Sequence, residues 1–188
     1  MKYPGTTIEI ERGREREGLE ERFAKGGLTL SQIANLTGTE SYDIQNWVRR
    51  GFCLPPVQKK YGIKSFCRIA TICLLRDILS ITEITGLLTY INGMLDDESD
   101  NLIGDDELYF CILRGLQCME GVVPDRQHVI IAVDAASTCF LCDHEDVSER
   151  LHNVLEVVMY ACIASKFRQK TKACLDAISL PKAMRRPR

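Results

Sequence analysis

What this chain lacks narrows its possible roles first. No apolar run approaches the roughly 20 residues that a membrane-spanning helix requires, so no membrane partner is expected. The opening stretch, "MKYPGTTIEIERGREREGLEERF", is charged throughout and lacks the apolar centre of a secretion signal. The expected location is therefore the cytoplasm. There is no glycine-rich phosphate loop, and no Ser/His/Asp set at a spacing that carries chemistry. Enzyme activity is not expected, and no cofactor is implied.

Histidine is scarce, and the nine cysteines are an odd number. Cys53, Cys67, Cys73, Cys111, Cys118, Cys139, Cys142, Cys162 and Cys174 lie mostly inside apolar helical patterns, which predicts reduced thiols acting as small hydrophobes rather than a disulfide framework. "CFLCDH" places Cys139 and Cys142 beside His144, with His128 and His152 near in sequence. A zinc site draws its ligands from two separated pairs, and only one is present in an apolar setting, so packed thiols are expected and no metal. Cys111 and Cys118, seven residues apart on one helix face, are expected in the core. The acidic run from Asp96 to Glu107 lacks the alternating carboxylates and central glycine of a calcium loop, so it reads as a solvated linker.

Charge of one sign is missing from two long stretches. From Ile44 to Arg76 there are seven bases (Arg49, Arg50, Lys59, Lys60, Lys64, Arg68, Arg76) and no acid. From Asp77 to Leu113 there are nine acids and no base. The net charge of −2 hides this segregation. One segment suits the neighbourhood of a polyanion and the next does not.

The elements follow from periodicity and punctuation. Residues 1–27 read as a loosely attached charged arm, with a helix predicted from Arg14 to Lys25 on acid–base pairs at helical spacing. "TLSQIANLTG" opens on a Thr29/Gln32 capping box and ends at Gly38. A second helix begins near Glu40 or Ser41, puts Ile44, Trp47 and Val48 on one face, and stops at Gly51 before Pro55-Pro56. "VQKKYG" forms either a two-stranded wing or a plain loop. "IKSFCRIATICLLRDIL" is a helix with Phe66, Ile69, Ala70, Cys73 and Leu74 inward. Ser80 and Glu83 box the start of "SITEITGLLTYING", which closes at Gly93.

Beyond the acidic loop the predicted helices lengthen. They are "ELYFCILRGLQCMEGV", then "DRQHVIIAVDAASTCFLCD" with Pro124 in its first turn, although "HVIIAV" has strand chemistry. The last spans about 30 residues from "EDVSERL" as one amphipathic helix. Its Leu151, Leu155, Val158, Met159 and Cys162 form an apolar side suited to self-association.

Two short helices joined by a glycine turn, the second with polar and basic groups outward, match a helix-turn-helix. The major groove admits one helix, whose outer face must meet base edges while cations at its flanks hold phosphates. On this reading Ser41, Tyr42 and Gln45 face outward, Arg49 and Arg50 end the helix, and Lys59, Lys60 and Tyr61 follow in the loop.

The same residues carry a resemblance. Leu36-Thr37-Gly38, Trp47, Arg49, Gly51, Leu54-Pro55, Tyr61 and "LSITEITGLL" are similar, without a gap from Gly38 to Gly51, to the DNA-binding head of the MerR class of bacterial transcription regulators. "PPVQKKY" resembles most the uncharacterised bacterial families with such a head and an all-helical tail. The resemblance covers about a third of the chain. Gln45 and Asn46 stand where the class has arginine and tyrosine, Gly62 replaces its usual serine cap, and Glu40 is acidic at the start of the reading helix. These departures imply either an altered sequence preference or loss of DNA binding.

The expected fold is all-α: a MerR-like head, with or without a wing, followed by a C-terminal helical bundle. The expected division is an arm (1–27), a DNA-binding head (28–94), a helical dimerisation or regulatory region (105–180) and a basic tail (181–188). The expected function is a DNA-binding transcription regulator. It would contact double-stranded DNA through Ser41, Tyr42, Gln45, Asn46, Arg49, Arg50, Lys59, Lys60, Tyr61 and Lys64, as a homodimer joined by its C-terminal helices. The rivals are a helical protein-interaction adaptor without DNA binding and a small-molecule sensor.

Overall fold

The computed structural model describes residues 1–93, 102–138, 140 and 145–178. Among these residues the fold is helical apart from one two-stranded ladder. The elements are α1 (Glu15–Phe23), β1 (Leu28–Thr29), α2 (Leu30–Thr37), α3 (Ser41–Arg49), β2 (Lys60–Tyr61), α4 (Ile63–Leu75), α5 (Ile81–Asn92), α6 (Asp105–Cys118), α7 (Arg126–Ser137) and α8 (Glu145–Ala177).

Local chemistry sets most of the boundaries. Thr29 and Gln32 form the expected reciprocal cap of α2, and Ser80 and Glu83 that of α5. Gly38 ends α2 with left-handed φ 63° and ψ 28°, a conformation that favours glycine. At the end of α3 the Gly51 N–H donates to the Val48 carbonyl (3.0 Å) and the Phe52 N–H to that of Trp47 (2.8 Å). This bond pair is a Schellman closure, and it fixes where the chain leaves the helix.

Helix α4 is the hub. Every residue from Phe66 to Ile72 is buried, so it lacks the single inward stripe expected of it. Cys73 and Leu74, expected inward, are only half-buried, whereas Cys67 and Arg68, outside the expected stripe, are covered. The reason is that α4 packs against four helices, α2, α5, α6 and α8. One apolar core accordingly runs from Tyr3 to Cys162.

The N-terminal segment belongs to that core, which corrects the expectation of a loose arm. Tyr3, Ile8 and Leu19 are buried, and the Tyr109 hydroxyl donates to the Pro4 carbonyl (2.6 Å). Gly5 has φ 69°, and a Cβ there would lie 2.0 Å from the Ala70 carbonyl oxygen. Arg16 spans to α6, where both of its terminal nitrogens meet the Glu107 carboxylate (2.8 and 2.6 Å). The charged residues form the outside of this segment, and its few apolar ones hold it down.

The C-terminal helices also differ in detail. α7 ends at Ser137, and Pro124 precedes its N-cap Asp125 instead of occupying the first turn. "HVIIAV" is helical because Val129, Ala132, Val133 and Ala136 bury one face. Cys118 is exposed while Cys111 is buried. α8 is one continuous helix of 33 residues. Its Leu151, Leu155, Val158, Met159 and Cys162, expected to join two copies, are instead buried in the chain's own core. No described helix is long and apolar enough to cross a membrane. The tail at 181–188 and residues 94–101 of the acidic loop lie outside the described residues.

Candidate functional site

α3 and the hairpin that follows it enclose a groove of about 670 Å³. Leu30, Val48, Pro56 and Tyr61 line its apolar part, and Tyr42, Gln45, Arg49 and Lys59 its polar part. Ile44 and Trp47 are buried on the opposite face of α3. Because positions three and four apart share a helix face, anchoring by Ile44 and Trp47 turns Tyr42, Gln45 and Arg49 outward. Tyr42 is 68% exposed.

The hairpin is short and tightly closed. Val57 and Lys60 exchange both backbone hydrogen bonds at 2.9 Å, leaving Gln58 and Lys59 as a two-residue turn. Both have positive φ, 49° and 64°. That is the geometry of a type I′ turn, which usually uses Asn-Gly to avoid the cost of a side chain in the left-handed region. β2 then pairs antiparallel with β1, Leu28 opposite Tyr61 and Thr29 opposite Lys60. The turn thus holds Lys59 beside the outer face of α3.

The residues expected at the site divide into three groups. Tyr42, Gln45, Arg49 and Lys59 come together at the groove. Ser41 and Asn46 are half-buried on α3, Arg50 is exposed at its end, and Lys64 is exposed on the first turn of α4. The Arg50 guanidinium lies over the Phe52 ring, 4.7 Å from its centroid, which restricts its motion. Among the described residues no ion pair joins Arg49, Arg50 or Lys59 to a carboxylate.

The remaining residues have other duties. Tyr61 is 2% exposed and supports the groove as part of the core, instead of reaching out from a loop; burial pushes its hydroxyl above the ordinary range. Lys60 is half-buried, with Nζ donating to the Lys25 carbonyl (2.8 Å). Arg68, counted in the basic run, is 5% exposed and faces inward. Its Nε donates to the Phe52 carbonyl (2.8 Å) and its Nη1 to Asp105 Oδ1 (3.1 Å). Arg76 lies over the Trp47 ring at 6.0 Å. Glu40, the acid at the head of α3, is exposed and makes no side-chain capping bond.

Sequence reasoning missed the apolar part of the groove and the pinned turn. Leu30 and Val48 read as ordinary core positions, and nothing in "Gln-Lys" announces two positive φ angles. The "CFLCDH" residues Cys139, Cys142 and His144 lie outside the described residues. Among the described residues no group of three metal-ligating side chains comes together. The His128 ring instead meets its own helix cap, Nδ1 lying 2.7 Å from Asp125 Oδ1.

Chemically, the groove offers a flexible amide, a phenol and two cations above an apolar base. The two cations can pair with an anion, and the amide and phenol can hydrogen-bond to polar edges. Neither a curated protein nor a solved structure matches the chain. Residues 25–110, from the end of α1 into α6, are similar to the family described as a domain of unknown function, DUF1836.

Proposed function

We propose that this protein is a DNA-binding transcription regulator whose α3 enters the major groove while the 57–60 hairpin follows the adjacent backbone. The observation that carries the reading is the convergence of Tyr42, Gln45, Arg49 and Lys59 on one groove, free of carboxylate ion pairs among the described residues. Gln45 supplies an amide able to bond an adenine edge, and Tyr42 a hydroxyl for a base or phosphate. Arg49, Arg50 and Lys59 hold phosphates, which provide position and most of the affinity. Ser41, Asn46 and Lys64 flank the same contact. Regulators of this kind act as two-fold dimers with half-sites about one turn of DNA apart, and the protein is proposed to do the same.

Supporting the reading is the way the site is built. Trp47 and Ile44 fix the helix, the Schellman closure fixes its exit, and the I′ turn fixes Lys59. Preorganised cations lose little freedom on binding. The adaptor reading draws on one feature, the apolar base of Leu30, Val48, Pro56 and Tyr61, which would suit an acidic peptide with a large apolar side chain.

The test is binding to a random duplex pool followed by sequence selection. The protein is expected to enrich a motif, and Arg49→Ala with Arg50→Ala to weaken binding at least tenfold. Failure to bind any duplex, or a double variant that binds as well as the parent, overturns the proposal. Binding of an acidic peptide in place of the duplex would establish the adaptor.

A further inference from the structure

The inner face of α8 is accounted for by the core, but its outer face is not. Val157, Tyr160, Ala164, Phe167 and Cys174 are all exposed, Phe167 by 54%. With Thr171 they recur at alternating steps of three and four, the spacing of a heptad seam. From Lys166 onward every residue of the helix is exposed, so these last turns project beyond the body. Arg168 ties them to the body, with an N–H donated to the Asp77 carbonyl and a 3.9 Å approach to the Asp77 carboxylate. That contact lies beside the seam and leaves it open.

The charges along α8 indicate what covers the seam. Its first half carries Asp146, Glu149 and Glu156, and its second half Lys166, Arg168, Lys170 and Lys172. Arg150 and Asp176 are the exceptions, and Arg150 is turned onto the Tyr90 ring (5.6 Å). A second α8 running parallel would set like halves side by side. One running antiparallel sets acidic against basic, a mutual arrangement that a two-fold axis generates at once.

We infer that two copies of this chain join along the outer face of α8, antiparallel. In the register that serves both packing and charge, Val157 meets the partner's Phe167 and Tyr160 meets the partner's Ala164. Large side chains then face small ones across the seam. Glu156 and the partner's Lys170 flank those layers and form an ion pair twice, once on each side of the axis. Tyr90, held by Arg150 and Asn153 at the near end, limits the seam on the N-terminal side. This inference supplies the interface for the proposed dimer, yet it stands whether or not the protein binds DNA.

The test is sedimentation equilibrium of the full chain without nucleic acid, with circular dichroism to establish that each variant is folded. The parent is expected to be a dimer at micromolar concentration. Phe167→Asp is expected to be a folded monomer, since Phe167 is exposed and outside the buried core. Glu156→Lys and Lys170→Glu should each weaken the dimer at least tenfold, and the two together should restore it. A monomeric parent, or a dimer indifferent to Phe167→Asp, overturns the interface. A dimer broken by Phe167→Asp but blind to both charge reversals overturns the antiparallel register, because a parallel seam would set Glu156 against alanine.

Discussion

Arg68 and Asp105 meet in the interior at the junction of α4 and α6, Nη1 3.1 Å from Oδ1. Each has further partners. Arg68 Nε donates to the Phe52 carbonyl (2.8 Å), Asn92 Nδ2 reaches Asp105 Oδ1 (3.5 Å), and the Ile103 N–H donates to Asn92 Oδ1 (3.3 Å). The cluster thereby ties the loop after α3 to the start of the C-terminal helices. Removing one member leaves the other buried and unpaired, which costs about 3–5 kcal/mol. Asp105→Ala is therefore expected to lower stability by that amount in urea denaturation. Arg68→Met with Asp105→Leu should recover much of the loss, since it removes both charges.

The turn at Gln58 and Lys59 predicts a gain. A side chain in the left-handed region costs roughly 1–2 kcal/mol, and both positions are there. Gln58→Asn with Lys59→Gly should raise stability by about 1–2 kcal/mol in the same measurement. It should also weaken the proposed DNA binding through loss of the Lys59 ammonium. A variant that is more stable but binds less would identify strain retained in order to present that cation.

Gly5 predicts a loss. Its φ is 69°, and the Cβ of an alanine would come within 2.0 Å of the Ala70 carbonyl oxygen, which leaves no room for it. Gly5→Ala should destabilise by at least about 2 kcal/mol, mainly by displacing the N-terminal segment from α4. Limited proteolysis would then cut before Glu15 in the variant and not in the parent.

Thiol chemistry gives a pH prediction. Burial pushes Cys53 and Cys162 up to about 12. A raised thiol keeps its proton in the folded state, so the stability it contributes is complete below the ordinary thiol value of 9.0 and is lost as pH rises from there toward 12. At pH 8 an alkylating reagent should modify the exposed Cys118 and leave Cys53 and Cys162 intact until the protein is denatured. Mass spectrometry of digested peptides reads this directly.

Much of the architecture is legible in the sequence because it is written in local chemistry. Thr29/Gln32, Ser80/Glu83 and Gly38 are signals read within one turn of chain, and each marks a real boundary. What is not legible depends on distant partners. The apolar side of α8 is visible, but periodicity cannot tell a neighbour in the same chain from a second copy, and Leu151 and Val158 are buried within this chain. Arg68 sits in a one-signed basic run, and only the fold reveals Asp105 opposite it. Tyr3 and Ile8 are hidden among charges that form the outer surface of a packed segment. At the groove, Tyr42, Gln45 and Arg49 are readable from helical spacing, whereas Tyr61 is misplaced because strand pairing with Leu28 turns it inward.

Fluorescence anisotropy of a selected duplex, titrated across a range of salt concentrations, tests most directly whether the groove cations face a polyanion. Each cation on a phosphate contributes about 1 to the slope of log affinity against log salt. Arg49→Ala with Lys59→Ala should therefore weaken binding and reduce that slope by about 2. A slope unchanged by the double substitution, or an affinity indifferent to salt, would contradict the proposed role of these cations.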